Sequence, residues 1–99
     1  MGIGLASSVL RADDVPVISR FYGIVIAMYH REHGVPHFHA NYGDKEASID
    51  IGTGRMRGDL PPQVRKRVLA WLDNHRDDLL DNWNRARSHR PLRSIVPLE

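Results

Sequence analysis

The chain has 99 residues, of which 41% are hydrophobic and 26% charged, a composition typical of one globular domain rather than of a disordered chain. It contains no cysteine, which excludes disulfide bonds, zinc–thiolate sites and thiol nucleophiles. The longest apolar run, residues 24–29, is far shorter than the ~18 residues that a membrane span needs.

The formal net charge of +2 is unevenly distributed, because the arginines are concentrated in the second half of the chain. A guanidinium group matches the geometry of phosphates and carboxylates, so this half is a candidate surface for anions or RNA. The alternative is a solvated helix face that carries i,i+4 ion pairs.

Residues 1–15 show no hydrophobic periodicity and are predicted to form an N-terminal tail, whereas residues 16–99 are predicted to form a single domain. The first residues lack the basic start and long apolar core of a secretion signal, so we expect a cytoplasmic location.

A small antiparallel sheet of three to four strands is predicted over about residues 17–58. Residues 24–29 form an unbroken apolar run, typical of a strand buried on both faces. Residues 37–42 and 45–51 flank Gly43-Asp44, a pattern that predicts a β-hairpin with a two-residue turn.

Two helices are predicted over about residues 61–74 and 77–89, because Pro61-Pro62 suit a helix start and apolar residues then recur at helical spacing. One continuous helix would be ~40 Å long, which is long for a domain with an expected radius of gyration of ~13 Å. We therefore expect a break within residues 74–78. A C-terminal extended segment follows Pro91. The fold class is α+β, with the helices packed on one face of the sheet.

Pairing the predicted hairpin about its turn separates its side chains into an apolar and a polar set. His37 lies opposite Asp50, His39 opposite Ser48 and Asn41 opposite Glu46. These six residues share one side of the hairpin, called here the polar face. His30 and His33, in the connection before the hairpin, are candidates to fold back toward it.

The first interpretation of the polar face is metal-independent cleavage of RNA. His37 and His39 would act as general base and general acid, with Asp50 orienting His37. No cofactor is then required. The predicted binding residues are Arg20, Tyr22, Asn41, Ser48, Arg55 and Arg57.

Two other interpretations stay open. In one, His33, His37 and His39 bind zinc or another divalent transition metal, since histidines two apart on a strand point to the same side. In the other, the polar face is a structural surface or an interface, because antiparallel sheets commonly leave one face in contact with water.

Several motifs resemble those of a family of small bacterial proteins known as domain of unknown function 4160. The run Ser-Arg-Phe-Tyr-Gly at residues 19–23 and the string Pro-His-Phe-His-Ala at residues 36–40 carry the resemblance most specifically. Leu60-Pro61, Trp71, Asn82-Trp83 and Pro91-Leu92 extend it, so that it covers roughly residues 16–99.

The resemblance implies one member of a two-gene, toxin–antitoxin-like unit, with a small cognate protein encoded alongside as partner. The layout is similar to that of small bacterial ribonuclease toxins, which present a catalytic histidine on a sheet backed by helices. This implies RNA as a substrate, while a non-enzymatic antitoxin or regulatory module is the alternative. Neither implication fixes the oligomeric state, and no membrane partner is expected.

Overall fold

Five antiparallel strands follow one another along the chain and keep the same order in a single sheet. They belong to an α+β fold in a computed structural model that describes residues 16–30 and 32–99. The predicted N-terminal tail, residues 1–15, lies outside the described residues. The strands are β1 (Val17–Phe21), β2 (Ile24–Ala27), β3 (His37–Tyr42), β4 (Lys45–Asp50) and β5 (Met56–Gly58).

The sheet has five strands instead of the three to four that the sequence predicts, and β1 is the strand that was not expected. β1 pairs with β2 through a two-residue turn in which Tyr22 and Gly23 have φ values of 52° and 77°. Two successive positive φ values are typical of the type I′ turns that suit hairpins, but tyrosine is not a usual residue there. The turn therefore lacked the composition that marks such turns in a sequence.

The predicted β3–β4 pairing is confirmed at every position, from His37 opposite Asp50 to Tyr42 opposite Lys45. Gly43 has a φ of 62° at the first central position of the turn, as a type II′ turn requires. Because side chains alternate along a strand, Phe38 and Ala40 are buried while His37 and His39 lie on the other side.

One helix, α1 (Pro62–Arg87), replaces the two helices that the sequence predicts. The expected interruption exists, but it is confined to His75, whose φ and ψ of −132° and 24° are not helical. At this point Arg76 Nε donates to the carbonyl of Ile51 at 2.7 Å, which ties the helix to the end of β4. A helix of this length spans about 39 Å, and the molecule accommodates it because its longest axis measures 44 Å.

The hydrophobic core lies between the apolar side of the sheet and α1. Trp71 occupies its centre, with ring centroids 5.3 Å from Phe21 and 5.7 Å from Phe38. Both Phe38 and Trp71 are fully buried. The helix therefore covers the face opposite to the polar face, as predicted.

The C-terminal segment after α1 forms no strand within the described residues, but it hydrogen-bonds to β1. Ile95 N–H donates to Ile18 at 2.8 Å, and the Ser19 hydroxyl donates to the carbonyl of Ile95 at 3.0 Å. Trp71 Nε1 donates to the carbonyl of Val96 at 2.9 Å, so the segment is also attached to the helix.

Asn82 is a fully buried polar residue of α1 that anchors the same segment. Its side-chain amide donates to the carbonyl of Arg93 at 2.8 Å and accepts from the Arg93 N–H at 2.9 Å. The paired bonds satisfy both ends of the amide, which is the usual condition for burying such a group.

Candidate metal centre

The polar face extends across the sheet in rows of paired residues. Arg20 pairs with Val25, which pairs in turn with Asn41, so these residues form one row. His39 and Ser48 form the next row, which continues to Arg57 on β5. Histidines, hydroxyl and amide groups and two arginines therefore share one side of the sheet.

A glutamate from the connection between β2 and β3 lies against both histidines of β3. His37 Nε2 lies 3.0 Å from Glu32 Oε1, and His39 Nε2 contacts the same carboxylate oxygen. Two imidazole nitrogens therefore contact the same carboxylate oxygen, because the connection folds back over the start of β3.

The second nitrogen of each ring faces a different group. His37 Nδ1 lies 2.8 Å from the carbonyl of Val35, to which it can only donate. His39 Nδ1 is buried without a hydrogen-bond partner among the described residues, and the carboxylate of Glu46 lies 3.5 Å away. That contact lacks hydrogen-bond geometry, so we treat it as an electrostatic contact.

These contacts place a lone pair of each neutral ring against a carboxylate oxygen. A neutral His37 that donates from Nδ1 presents a lone pair at Nε2, which would face the lone pairs of Glu32. His39 has carboxylates toward both nitrogens, so either neutral tautomer places a lone pair against an acceptor. Protons on both rings or a bound cation would remove this conflict.

The electrostatics of Glu32 reflect the two rings. Burial raises the pKa of its carboxyl group, but the hydrogen bonds and charges of His39 and His37 outweigh burial and hold the pKa below its ordinary value of 4.5. A pKa lowered by folding gives stability that is present above the ordinary value and is lost as the pH falls through the lowered one.

Two aromatic side chains flank the histidines. The Tyr29 ring meets His39 edge-on at 4.7 Å between centroids, and Trp83 lies 5.1 Å from His37. Burial, together with the charges of Glu46 and Glu32, raises the pKa of Tyr29. The phenol therefore stays neutral, and the two imidazole rings lie in a partly apolar environment.

Glu32, His37 and His39 form a set of possible metal ligands, since one atom from each lies within 4.8 Å of the others. Two imidazole nitrogens and a carboxylate oxygen are donors that zinc and other divalent transition metals accept. A ligating histidine usually donates its other N–H to a carbonyl or carboxylate. The Val35 carbonyl occupies that position for His37, and the Glu46 carboxylate lies 3.5 Å from the corresponding nitrogen of His39 without hydrogen-bond geometry.

A pocket of about 440 Å³ adjoins this set and shares Glu32 with it. The other described residues that line it are His30, His33, Arg87 and His89. The pocket therefore lies where the β2–β3 connection meets the end of α1.

With this geometry in view, the comparison with known families is informative. A family model described as Domain of unknown function (DUF4160) matches residues 23–84. The chain belongs to this family. The comparisons with curated proteins and with solved structures found no match.

The segment that matches the DUF4160 family includes the three possible ligands and the pocket residues His30 and His33, but it ends before Arg87 and His89. The pocket thus combines residues inside and outside the matched segment. Among residues 16–30 and 32–99, no helix joins the length to the apolarity that a bilayer span demands.

The predicted site residues of this DUF4160 member divide into two groups. His37, His39, Asn41 and Ser48 share the polar face, as the pairing indicated. Asp50 lies opposite His37, but its carboxylate is 3.6 Å from Arg57, and both His37 nitrogens face other groups. Glu32, rather than Asp50, is therefore the acidic partner of His37 in this structure.

The other predicted residues lie apart from the histidines. Tyr22 is exposed in the β1–β2 turn, where the Arg67 guanidinium stacks 4.0 Å from its ring centroid. Arg55 precedes β5, and its carbonyl accepts from the Asp50 N–H at 2.9 Å. His33, predicted as a possible ligand, lines the pocket and is not in the ligand set.

The sequence interpretation missed Glu32. The only signal for it was its position between His30 and His33, the two residues that were candidates to fold back toward the polar face. That argument applies to every side chain of the connection, whereas two histidines with one carboxylate are a known set of metal ligands.

Proposed function

We propose that this protein binds a divalent transition-metal ion through Glu32, His37 and His39. The observation that carries the proposal is the convergence of both Nε2 atoms on one oxygen of Glu32. Three protein ligands leave a coordination position for water or substrate, which is the arrangement of catalytic rather than structural zinc sites. A metal held in this way supplies a Lewis acid and an activated water, so hydrolysis is the reaction class that fits.

A bound divalent ion carries the same charge as two imidazolium ions, but it places that charge at one point between the rings and Glu32. Two imidazolium ions would instead repel each other across the 5.3 Å between their ring centroids. One divalent ion bound to both lone pairs would let His37 keep its Nδ1 proton for Val35, and would let His39 direct its own toward Glu46.

The test is titration of the metal-free protein, made without a polyhistidine tag, with Zn²⁺, Mn²⁺ and Fe²⁺ in a calorimeter. Loss of an outer-shell partner typically costs 10- to 100-fold in metal affinity, so Glu32→Gln and His39→Gln should each cost at least about 100-fold. His75→Gln is the matched control, because it replaces the same type of residue at the interruption of α1, and His75 is not one of the possible ligands. Absence of binding by folded wild type, or equal affinity in Glu32→Gln, would refute the proposal.

A metal-independent ribonuclease of a toxin–antitoxin-like pair is a second candidate. It is supported by the closeness of the His37 and His39 rings on a face that also carries Arg20 and Arg57. One ring would take the proton of a ribose 2′-hydroxyl and the other would protonate the leaving oxygen. The protein would then act in the cytoplasm, with RNA as its substrate and a small cognate protein as its partner.

Induced expression distinguishes the candidates. A ribonuclease toxin should arrest growth and fragment total RNA, and His37→Ala/His39→Ala should do neither. Cleavage by purified protein that persists in a chelator would favour the metal-independent mechanism over the metal site. Normal growth with soluble, folded wild-type protein would instead favour an antitoxin or regulatory module whose polar face binds the partner.

A further inference from the structure

The pocket beside the candidate metal centre has a lining dominated by nitrogen donors. Among the residues that the structure describes, it is lined by one arginine, three histidines and the carboxylate of Glu32, which both β3 histidines already contact. We propose that this pocket binds the phosphoryl group of the substrate, an inference that rests on the proposed metal-dependent hydrolysis. Its volume of about 440 Å³ is in the range of small-molecule sites.

Among the described lining residues, Arg87 is the one whose side chain is always positively charged. Two residues earlier, Arg85 already has a partner, since its Nε donates to Asp81 at 2.8 Å in an i,i+4 ion pair. Within the described residues, Arg87 forms no ion pair, and it lines the pocket. A guanidinium fork can donate two parallel hydrogen bonds to a phosphate, so Arg87 is suited to bind an anion there.

His89 occupies a backbone position at which glycine is usual. The Arg90 N–H donates to Arg85 at 2.8 Å and the His89 N–H donates to Ala86 at 3.2 Å, which is the Schellman pattern of a helix end. In that pattern the residue with positive φ is normally glycine, yet here it is His89, with a φ of 58°. Glycine at this position would remove the strain of the positive φ, but it would also remove the imidazole that lines the pocket.

The position at the end of α1 decides which groups must attract an anion. The C-terminal end of a helix carries partial negative charge and by itself disfavours anions. Arg87 must therefore supply the attraction, with N–H groups of the imidazoles adding hydrogen bonds. Donors arranged around a pocket match the several oxygens of a phosphoryl group better than the two of a carboxylate.

The pocket also has the right neighbour for such a substrate. Glu32 belongs both to the pocket lining and to the possible ligand set. A phosphoryl group bound by Arg87 would therefore lie beside a metal that can polarise one of its oxygens. Because Glu32 is shared, the anion site adjoins the proposed metal ion, and the proposed hydrolysis needs no further residue to link the two.

The experiment measures binding of inorganic phosphate to the metal-free and Mn²⁺-loaded full chain. Arg87→Gln should weaken binding by about 10- to 100-fold, since hydrogen bonds to charged groups contribute ~1.5–3 kcal/mol. Arg65→Gln is the matched control, because it removes the same charge from an exposed position near the start of α1. Undetectable phosphate binding by wild type, or equal weakening in both variants, would overturn the proposal.

His89→Gly separates a pocket role from a structural role. We expect weaker phosphate binding with an unchanged or higher Tm, because glycine suits the positive φ. A lower Tm with unchanged phosphate binding would contradict the assignment of His89. Metal titration of Arg87→Gln should match wild type, so failure of the metal site and failure of the anion site give different results.

Nucleoside monophosphates identify the source of the phosphoryl group. Tighter binding of a uridine 3′-monophosphate than of inorganic phosphate, lost in Arg87→Gln, would support a nucleotide substrate in the same pocket. Equal affinities that are both lost in Arg87→Gln would support recognition of the phosphoryl group alone. Binding of the nucleotide that is unaffected by Arg87→Gln would overturn the proposal.

Discussion

The β3–β4 hairpin and the connection before it both supply possible metal ligands, but different interactions hold them in place. His37 and His39 are fixed by a continuous ladder with β4 and by buried neighbours such as Phe38. Glu32 lies in the connection between β2 and β3, and among its described residues the ends are held by backbone bonds from the Met28 N–H to Pro16 and from the Ile51 N–H to Pro36. The hairpin therefore specifies where two ligands lie, and tertiary contacts decide where the third one lies.

The largest expected effect tests the packing of the hairpin. Phe38→Ala removes a fully buried ring that contacts Trp71, and such truncations cost about 3–5 kcal/mol of unfolding free energy. His39 is the next residue along β3 and lies on the polar face, so His39→Gln should lower the unfolding free energy of the metal-free protein by about 1 kcal/mol or less. Urea denaturation compares them. Equal losses in the two variants would show that the polar face contributes to the core as much as the apolar face does.

A smaller loss is expected where β5 closes on the hairpin. A Cβ at Gly58 would lie 2.3 Å from the carbonyl oxygen of Glu46 and 2.5 Å from the Cα of Ala47, and its φ is +142°. Since backbone must move, Gly58→Ala should cost about 1–3 kcal/mol. Gly52→Ala is the control, because a Cβ there meets nothing within 4 Å. If both variants unfold at the same urea concentration, the close approach of β5 to β4 is not as described.

Alanine substitutions of two glycines compare the β3–β4 turn directly with the connection before β3. Gly34 and Gly43 have φ values of +93° and +62°, and a Cβ would meet no atom at either position. Alanine should therefore cost each about 1 kcal/mol through backbone strain alone. Gly34→Ala should in addition weaken metal binding about 10-fold, because relaxation of the connection displaces Glu32 from the histidines. Gly43→Ala should leave metal affinity unchanged, and calorimetry of both variants would refute the comparison if their affinities fell equally.

The same contrast explains how much of the molecule is predictable from its sequence. Alternation of apolar and polar residues about Gly43-Asp44 determines the β3–β4 register, because a slip by one residue would place polar groups in the core. The polar face and the covering of the other face by α1 follow from it. These features depend on neighbours along the chain or directly across one turn.

Features that depend on distant parts of the chain were predicted incorrectly or missed. A break near His75 was predicted, but the sequence did not indicate that it would be limited to one residue. Next to this residue, Arg76 forms a hydrogen bond to the end of β4. One local feature was missed as well, because β1 lies directly across a turn from β2 but Tyr22 gives little sign of a turn with two positive φ values. Glu32 was missed because its contacts are made only when the whole connection folds back over β3.

The smallest expected effect concerns the residue that the sequence assigned to orient His37. Asp50 faces Arg57 across the sheet, at 3.6 Å, with the arginine side chain 56% exposed and the aspartate side chain 13% exposed. Because the arginine stays largely in water, the pair contributes little, and asparagine keeps the shape of Asp50, so Asp50→Asn should change the unfolding free energy by about 1 kcal/mol or less. Metal affinity should change by about 0.5 kcal/mol at most, because Glu32 and Val35 already face both nitrogens of His37. A loss in Asp50→Asn as large as that in Glu32→Gln would place the hairpin, rather than the connection, in control of the site.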